Sequence, residues 1–149
     1  MAEKNIPGLV KQILDKGYLM SLATVDNSGP WVSDVIYVAD DNLSLYWLSL
    51  TNRRHSQAIA LNPKVAASIT LTARPGEADI GLQIEGNAKK IKGDVFEMAK
   101  KHRAKRGKPA PKKLGEILDK GESWYCLRPK KIEIIYSPLF GWNKKVLNL

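Results

Sequence analysis

Two stretches of strict alternation constrain this chain more than any other feature. Val65, Ala67, Ile69, Leu71 and Ala73 are apolar at odd positions, and Ser68, Thr70 and Thr72 stand between them. After a turn at Arg74-Pro75-Gly76, Ile80, Leu82, Ile84 and Ala88 share one face, and Gln83, Glu85, Asn87 and Lys89 share the other. A period of two means a β-strand with one packed face and one face toward solvent or a ligand. Similar short runs recur at Tyr18–Val25, Trp31–Ala39, Leu43–Leu50, Trp124–Leu127, Lys131–Tyr136 and Val146–Leu149. Asp26-Asn27-Ser28-Gly29 and Asp40-Asp41-Asn42 are clusters of turn formers between the first of these. Short strands joined by short polar turns predict a mainly β chain, an antiparallel meander closing into a barrel or sandwich rather than a layered parallel sheet.

Helical spacing is confined to the connections. Ile6, Leu9, Val10, Ile13 and Leu14 form the apolar side of a first helix, which Pro7 opens and Gly17 ends. Arg53–Leu61 predicts a short helix capped by Thr51 or Asn52, and Asn62-Pro63 stops it because the residue before proline avoids the helical region. Val95, Phe96, Met98 and Ala99 suggest another helix. Leu114, Ile117 and Leu118 suggest one more over Lys112–Lys120, and Pro138–Trp142 reads as a loop. At 149 residues, 44% of them hydrophobic, the chain suits one domain over residues 1–149 with a true core.

Several classes of function find no support. There is no glycine-rich phosphate loop, no Cys or His-Glu pair at metal-ligand spacing, and no nucleophile elbow. His55 and His102 fall in different elements. No run is long and apolar enough to span a membrane, Met1–Gly8 does not read as a signal peptide, and Cys126 is the single cysteine, so no intrachain disulfide forms. The expectation is a cytoplasmic protein. If it is an enzyme, a bound cofactor carries the chemistry.

The net charge of +9 calls for an explanation. The densest basic run is Lys100-Lys101-His102-Arg103-Ala104-Lys105-Arg106-Gly107-Lys108, extended by Lys112 and Lys113. It reads first as a solvated helix end and loop, and second as a patch for nucleic acid or another anionic surface. No aromatic residue interleaves there, which removes a base-stacking platform.

The most informative segment is Leu48-Ser49-Leu50-Thr51-Asn52-Arg53-Arg54-His55-Ser56. A strand ends and a helix begins within it. A helix start offers unpaired amides and a partial positive charge, so a phosphate placed there meets donors directly. Arginine adds charge-assisted bonds worth about 1.5–3 kcal/mol each. The plainer reading is a solvated basic surface helix.

The order of these motifs resembles the pyridoxamine 5'-phosphate oxidase-like family of FMN-binding split barrels. The matching features are Ala23-Thr24-Val25, the Gly29-Pro30 turn, the strand ending at Ser49, Arg53-Arg54-His55, Asn62-Pro63-Lys64-Val65 and Gln83-Ile84-Glu85-Gly86-Asn87-Ala88. The tail Ile132–Leu149, with Phe140-Gly141-Trp142, is similar to a short bacterial branch of that family, the YhbP-like proteins. Each motif is short, and their order and spacing carry the likeness. The resemblance implies an antiparallel split β-barrel and a homodimer with flavin mononucleotide (FMN) at the subunit interface. It implies that Arg54 and His55 face the phosphate, beside Arg53, with Ser49 and Thr51 near the phosphate or ribityl chain. Gln83 then approaches the ribityl or isoalloxazine group, and Trp142 and Lys144 of the partner's C-terminal segment close the site. The implied activity is that of an oxidoreductase acting on an unknown small molecule.

There are departures. The family often has lysine where this chain has His55, whose charge, and flavin affinity with it, falls as pH rises through about 6.5. Trp31–Ala39 lacks the basic residues used there by true pyridoxamine phosphate oxidases, and Ser33 and Val38 stand near those places. The chain is also shorter than those enzymes. Both points argue against vitamin B6 oxidation. Trp31, Trp47 and Trp124 read as core or dimer contacts, Cys126 as a buried small hydrophobe, and Glu85 as surface. The competing functions are a non-catalytic binder of flavin, a flavin-like cofactor or haem, and a basic nucleic-acid-binding barrel.

Overall fold

The computed structural model describes residues 5–71, 74–93 and 95–149; Thr72 and Ala73 of the first alternating stretch, and residues 1–4, lie outside the described residues. The elements run α1 (Ile6–Lys16), β1 (Leu19–Asp26), β2 (Gly29–Ala39), β3 (Leu45–Leu50), α2 (Arg54–Leu61), β4 (Lys64–Thr70), β5 (Ile80–Ile91), α3 (Phe96–Lys105), β6 (Glu122–Tyr136), α4 (Ser137–Phe140) and β7 (Lys145–Asn148). Every strand pairing is antiparallel, in the order β3-β2-β1-β4-β5-β6-β7. β3 also pairs with the first half of β6, from Leu45 opposite Leu127 to Leu50 opposite Glu122. That pairing closes six strands into a barrel, and β7 extends the second half of β6. The fold is the mainly β split barrel with peripheral helices.

Alternation decides the core. Met20 and Leu22 of β1, Val65, Ala67 and Ile69 of β4, and Leu82, Ile84 and Ala88 of β5 all point inward and are buried. β6 changes parity: Tyr125 and Leu127 point inward before a register shift, Ile132 and Ile134 after it. One extra residue does this, because a single-residue slip turns every following side chain over. Pro129 sits at that bulge, where its missing N–H breaks no ladder, so the two runs read from the sequence are one strand. Gly86 lies opposite, where an added Cβ would fall 2.3 Å from the Arg128 carbonyl oxygen.

The helices close the barrel ends and flank its wall. α1 buries Val10, Ile13 and Leu14 at the end where β1 begins, and the Tyr37 hydroxyl donates to the Leu14 carbonyl at 2.7 Å. α2 packs against β1 and β5 at the opposite end, with Ile59 in the main core. α3 lies on the outer wall against β2. A second, smaller core forms there, in which Val95 and Ala99 meet Ile117 and Trp124.

Three local expectations are corrected. Lys112–Lys120 is not a helix: only Leu114–Glu116 forms a single 3-10 turn, because Leu114 and Leu118 face solvent and Ile117 alone is buried. Pro138–Trp142 is not wholly loop, since α4 covers Ser137–Phe140 and buries Phe140. Neither Thr51 nor Asn52 caps α2; Arg53 holds that place in extended conformation with no side-chain cap bond. The basic run lies where the sequence sets it, over the end of α3 up to Lys105 and the loop that follows. Among the described residues, no helix is long and apolar enough to cross a membrane.

Candidate functional site

The β3–α2 junction gathers Ser49, Arg53, Arg54 and His55 at one mouth of the barrel. β3 delivers Ser49 as its penultimate residue, and α2 starts at Arg54. Ser49 Oγ and His55 Nε2 stand 2.9 Å apart, a hydrogen bond whose direction follows the imidazole tautomer. His55 is buried, and burial, then the neighbouring Arg53, holds its pKa below the usual imidazole range. At neutral pH it is therefore an uncharged hydrogen-bonding group rather than the cation the sequence suggests. Ser56 Oγ donates to the Leu50 carbonyl at 2.9 Å and fixes the turn into the helix.

Arg54 is half-buried and held on two sides. Its Nε and Nη2 donate to Asp26 Oδ2 and Oδ1 at 3.0 and 3.2 Å, and its guanidinium lies 4.4 Å from the centroid of the Trp31 ring. Asp26 is further engaged by the Ser28 amide at 2.8 Å. The Arg54 bonds, then the Ser28 amide, hold the Asp26 carboxyl below the ordinary carboxylate range. Asp26 and Trp31 were absent from the sequence-based site. Asp26 reads as a turn former and Trp31 as a packing residue, and nothing local shows that a β-hairpin would deliver both to Arg54.

The first backbone bond of α2 runs from the Gln57 amide to the Arg53 carbonyl at 3.0 Å. The amides of Arg54, His55 and Ser56 precede it and have no acceptor among the described residues, as at most helix starts. Arg53 is exposed beside them. The donor set suits a phosphate monoester: amides at a helix start, two guanidiniums and a hydroxyl, with the Asp26 carboxylate already paired to Arg54.

The other expected residues fall elsewhere. Thr51 donates to the Gly121 carbonyl at 3.2 Å and lines a cavity of about 360 Å³ with Lys89 and Lys90. Gln83, Trp142 and Lys144 come together in another cavity of about 360 Å³, beside Thr70 and Asp79. Lys144 Nζ donates to Gln83 Oε1 at 2.6 Å, within one chain, and Trp142 is 87% exposed. Gln83 pairs with Ser68, and Ser68 with Ser21, five residues before Asp26. At a rise of about 3.4 Å per residue, the two groups are about 17 Å apart along β1. The outward residues between them are small: Ser21 and Ala23 on β1, Ala66 and Ser68 on β4.

The fold has relatives. A UPF0306 protein of Yersinia pseudotuberculosis is 27% identical over 99 residues, covering 66% of this chain and 67% of that protein. Among solved structures, a putative pyridoxamine 5'-phosphate oxidase from Listeria innocua matches with a TM-score of 0.71 at 20% identity, covering 88% of this chain and 98% of the other. A heme binding protein from Mycobacterium smegmatis matches at 0.68 and 19% identity, covering 95% and 57%. At such identities the structures establish shape alone. The family model described as pyridoxamine 5'-phosphate oxidase matches residues 6–136, from the first helix to the end of β6. With that match spanning all six barrel strands and the β3–α2 junction, and ending before Trp142 and Lys144, the chain belongs to the pyridoxamine 5'-phosphate oxidase family.

Proposed function

We propose that this protein binds FMN and acts as a flavin-dependent oxidoreductase on a small molecule. The observation that carries the reading is the β3–α2 junction, where an oriented Arg54, the Ser49–His55 pair and three unpaired helix-start amides meet at one barrel mouth. Arg53, Arg54 and those amides would hold the phosphate. Ser49, through His55, would fix the start of the ribityl chain. Gln83, Lys144 and the exposed Trp142 would serve the ring end. FMN, when bound, supplies hydride acceptance and donation, while the protein supplies orientation and charge. Gln83 and Lys144 are donors suited to a polar ring edge, and the indole of Trp142 would shield a ring face from water.

Two copies are expected to share the cofactor. The outward face of β1 and β2 leaves Leu19, Val25 and Val32 exposed, with Val32 at 62%. An apolar patch on an antiparallel wall is a natural seat for a second copy, which would cover a flavin laid across it. A haem reading is less supported: His102 is buried with Nε2 on the Ile36 carbonyl, and His55 is buried with Nε2 on Ser49.

The decisive measurement is an absorption spectrum of the purified protein before and after incubation with FMN and desalting. Retained flavin bands, one FMN per chain and a dimer by light scattering are expected. Protein that stays colourless would reject the reading. Reduction of the bound flavin by a nicotinamide donor would separate an oxidoreductase from a passive binder.

A further inference from the structure

We infer that Asp26 and Trp31 are positioning residues that preset Arg54 for the cofactor's terminal phosphate, making the site selective for a phosphorylated flavin over riboflavin. The inference rests on the flavin reading above and deepens it. Three observations carry it. First, the Asp26 carboxylate takes the Nε–Nη2 edge of the guanidinium in a two-bond fork, at 3.0 and 3.2 Å. A guanidinium has five N–H donors in a fixed plane. Two are spent on Asp26, so the Nη1 edge and the second Nη2 hydrogen remain for a ligand. Second, the guanidinium carbon lies over the Trp31 ring, 4.4 Å from its centroid, a contact that favours this one placement of the side chain. Third, the anchors are themselves anchored. Asp26 ends β1 opposite Gly29, its Oδ1 also accepts from the Ser28 amide, and Trp31 pairs with Thr24 across the same hairpin.

Arg54 is the first residue of α2, so its unspent donors start from the same turn as the unpaired amides of Arg54, His55 and Ser56. A free arginine loses rotamer freedom on gripping a phosphate. One already held by a carboxylate fork and an aromatic ring loses less, and the difference appears as affinity for the phosphate alone. Asp26 also neutralises part of the local positive charge, so the site holds a monoester in a defined pose and does not simply attract anions.

The test measures dissociation constants for FMN and riboflavin with the full-length protein, by flavin fluorescence. Asp26→Asn is the first variant, because asparagine keeps an acceptor for the Ser28 amide and removes only the charge and the fork. Trp31→Leu is the second, should the hairpin tolerate the first poorly. In each, FMN binding is expected to weaken about tenfold, as for loss of one charge-assisted contact, with riboflavin binding unchanged. The wild-type preference for FMN over riboflavin therefore falls by the same factor. A general structural defect would weaken both ligands alike and would overturn the positioning role. An unchanged or tightened FMN constant would overturn it too, showing Asp26 to be inert or a competitor of the phosphate. Wild-type protein that binds FMN with no preference over riboflavin would sink this inference and leave the flavin reading standing. Wild-type protein that takes neither ligand would sink both.

Discussion

Two basic segments of this chain look alike as sequence and serve opposite ends in the fold. Arg53-Arg54-His55 opens α2, and the Lys100–Lys113 run fills α3 and the loop after it. At α2 the cations stand at a barrel mouth beside unpaired donors, and the nearest carboxylate orients Arg54 by one edge. Along α3 two of the cations, Arg103 and Lys105, are turned inward as fasteners. Lys105 Nζ donates to the carbonyls of Gly17 and Tyr37 at 2.7 and 2.8 Å and lies over the Tyr37 ring at 4.1 Å. Arg103 donates to the Glu116 carbonyl, and Lys100 pairs with Glu97 at 3.0 Å. His102 sits edge-on to Trp124 with its Nε2 on the Ile36 carbonyl. A carbonyl left over at a helix end or strand edge needs a donor as much as an anion needs a cation. Part of the basic run that suggests a nucleic-acid patch is therefore committed to docking α3.

That contrast can be broken or sharpened by measurement. The largest effect is expected at Lys105. Lys105→Met removes the donor from two carbonyls at the seam between α1, β2 and α3, and should cost about 2–3 kcal/mol by urea denaturation. It should leave the FMN dissociation constant unchanged; a weaker constant would mean the two segments are coupled. Next is acid sensitivity in the second core. Burial, the first cause, and nearby Arg106 and Lys105 push the His102 pKa down to about 4 against the bond to Ile36. The unfolded chain then takes up the proton first as pH falls, so stability is lost between about pH 6.5 and pH 4. Denaturation midpoints across that window should fall more steeply in the wild type than in His102→Gln, which can still donate to Ile36. Equal slopes would place the titration elsewhere, His55 included. Smallest in stability, though not in function, is Arg54→Ala. Its half-exposed ion pair should contribute little to the fold. FMN should nevertheless bind about tenfold or more weakly, since one charge-assisted contact exceeds about 1.4 kcal/mol.

Much of the barrel was legible before any coordinates. The inward faces of β4 and β5 follow from alternation, and the apolar stripe of α1 from helical spacing, because both periods are set by the local backbone. The failures have local causes as well. The runs Trp124–Leu127 and Lys131–Tyr136 read as two strands, since the bulge at Pro129 that joins them lies opposite Gly86 of another strand. Leu114, Ile117 and Leu118 imitate a helix, but the fold buries only Ile117. The resemblance sets Thr51 near the phosphate or ribityl chain, and only the fold shows that its hydroxyl donates to the carbonyl of Gly121, seventy residues on.

Sequence alone determined which residues alternate, where turns fall and that a basic strand-to-helix junction exists, because those depend on neighbours within a few residues. Tertiary structure alone decided the rest. Ring closure by β3 on β6, the fork from Asp26 to Arg54, and the reach of Lys105 to Gly17 join residues 28 to 88 positions apart. Two cationic segments of similar composition acquire different roles only when the fold sets one beside open donors and the other beside carbonyls that lack partners.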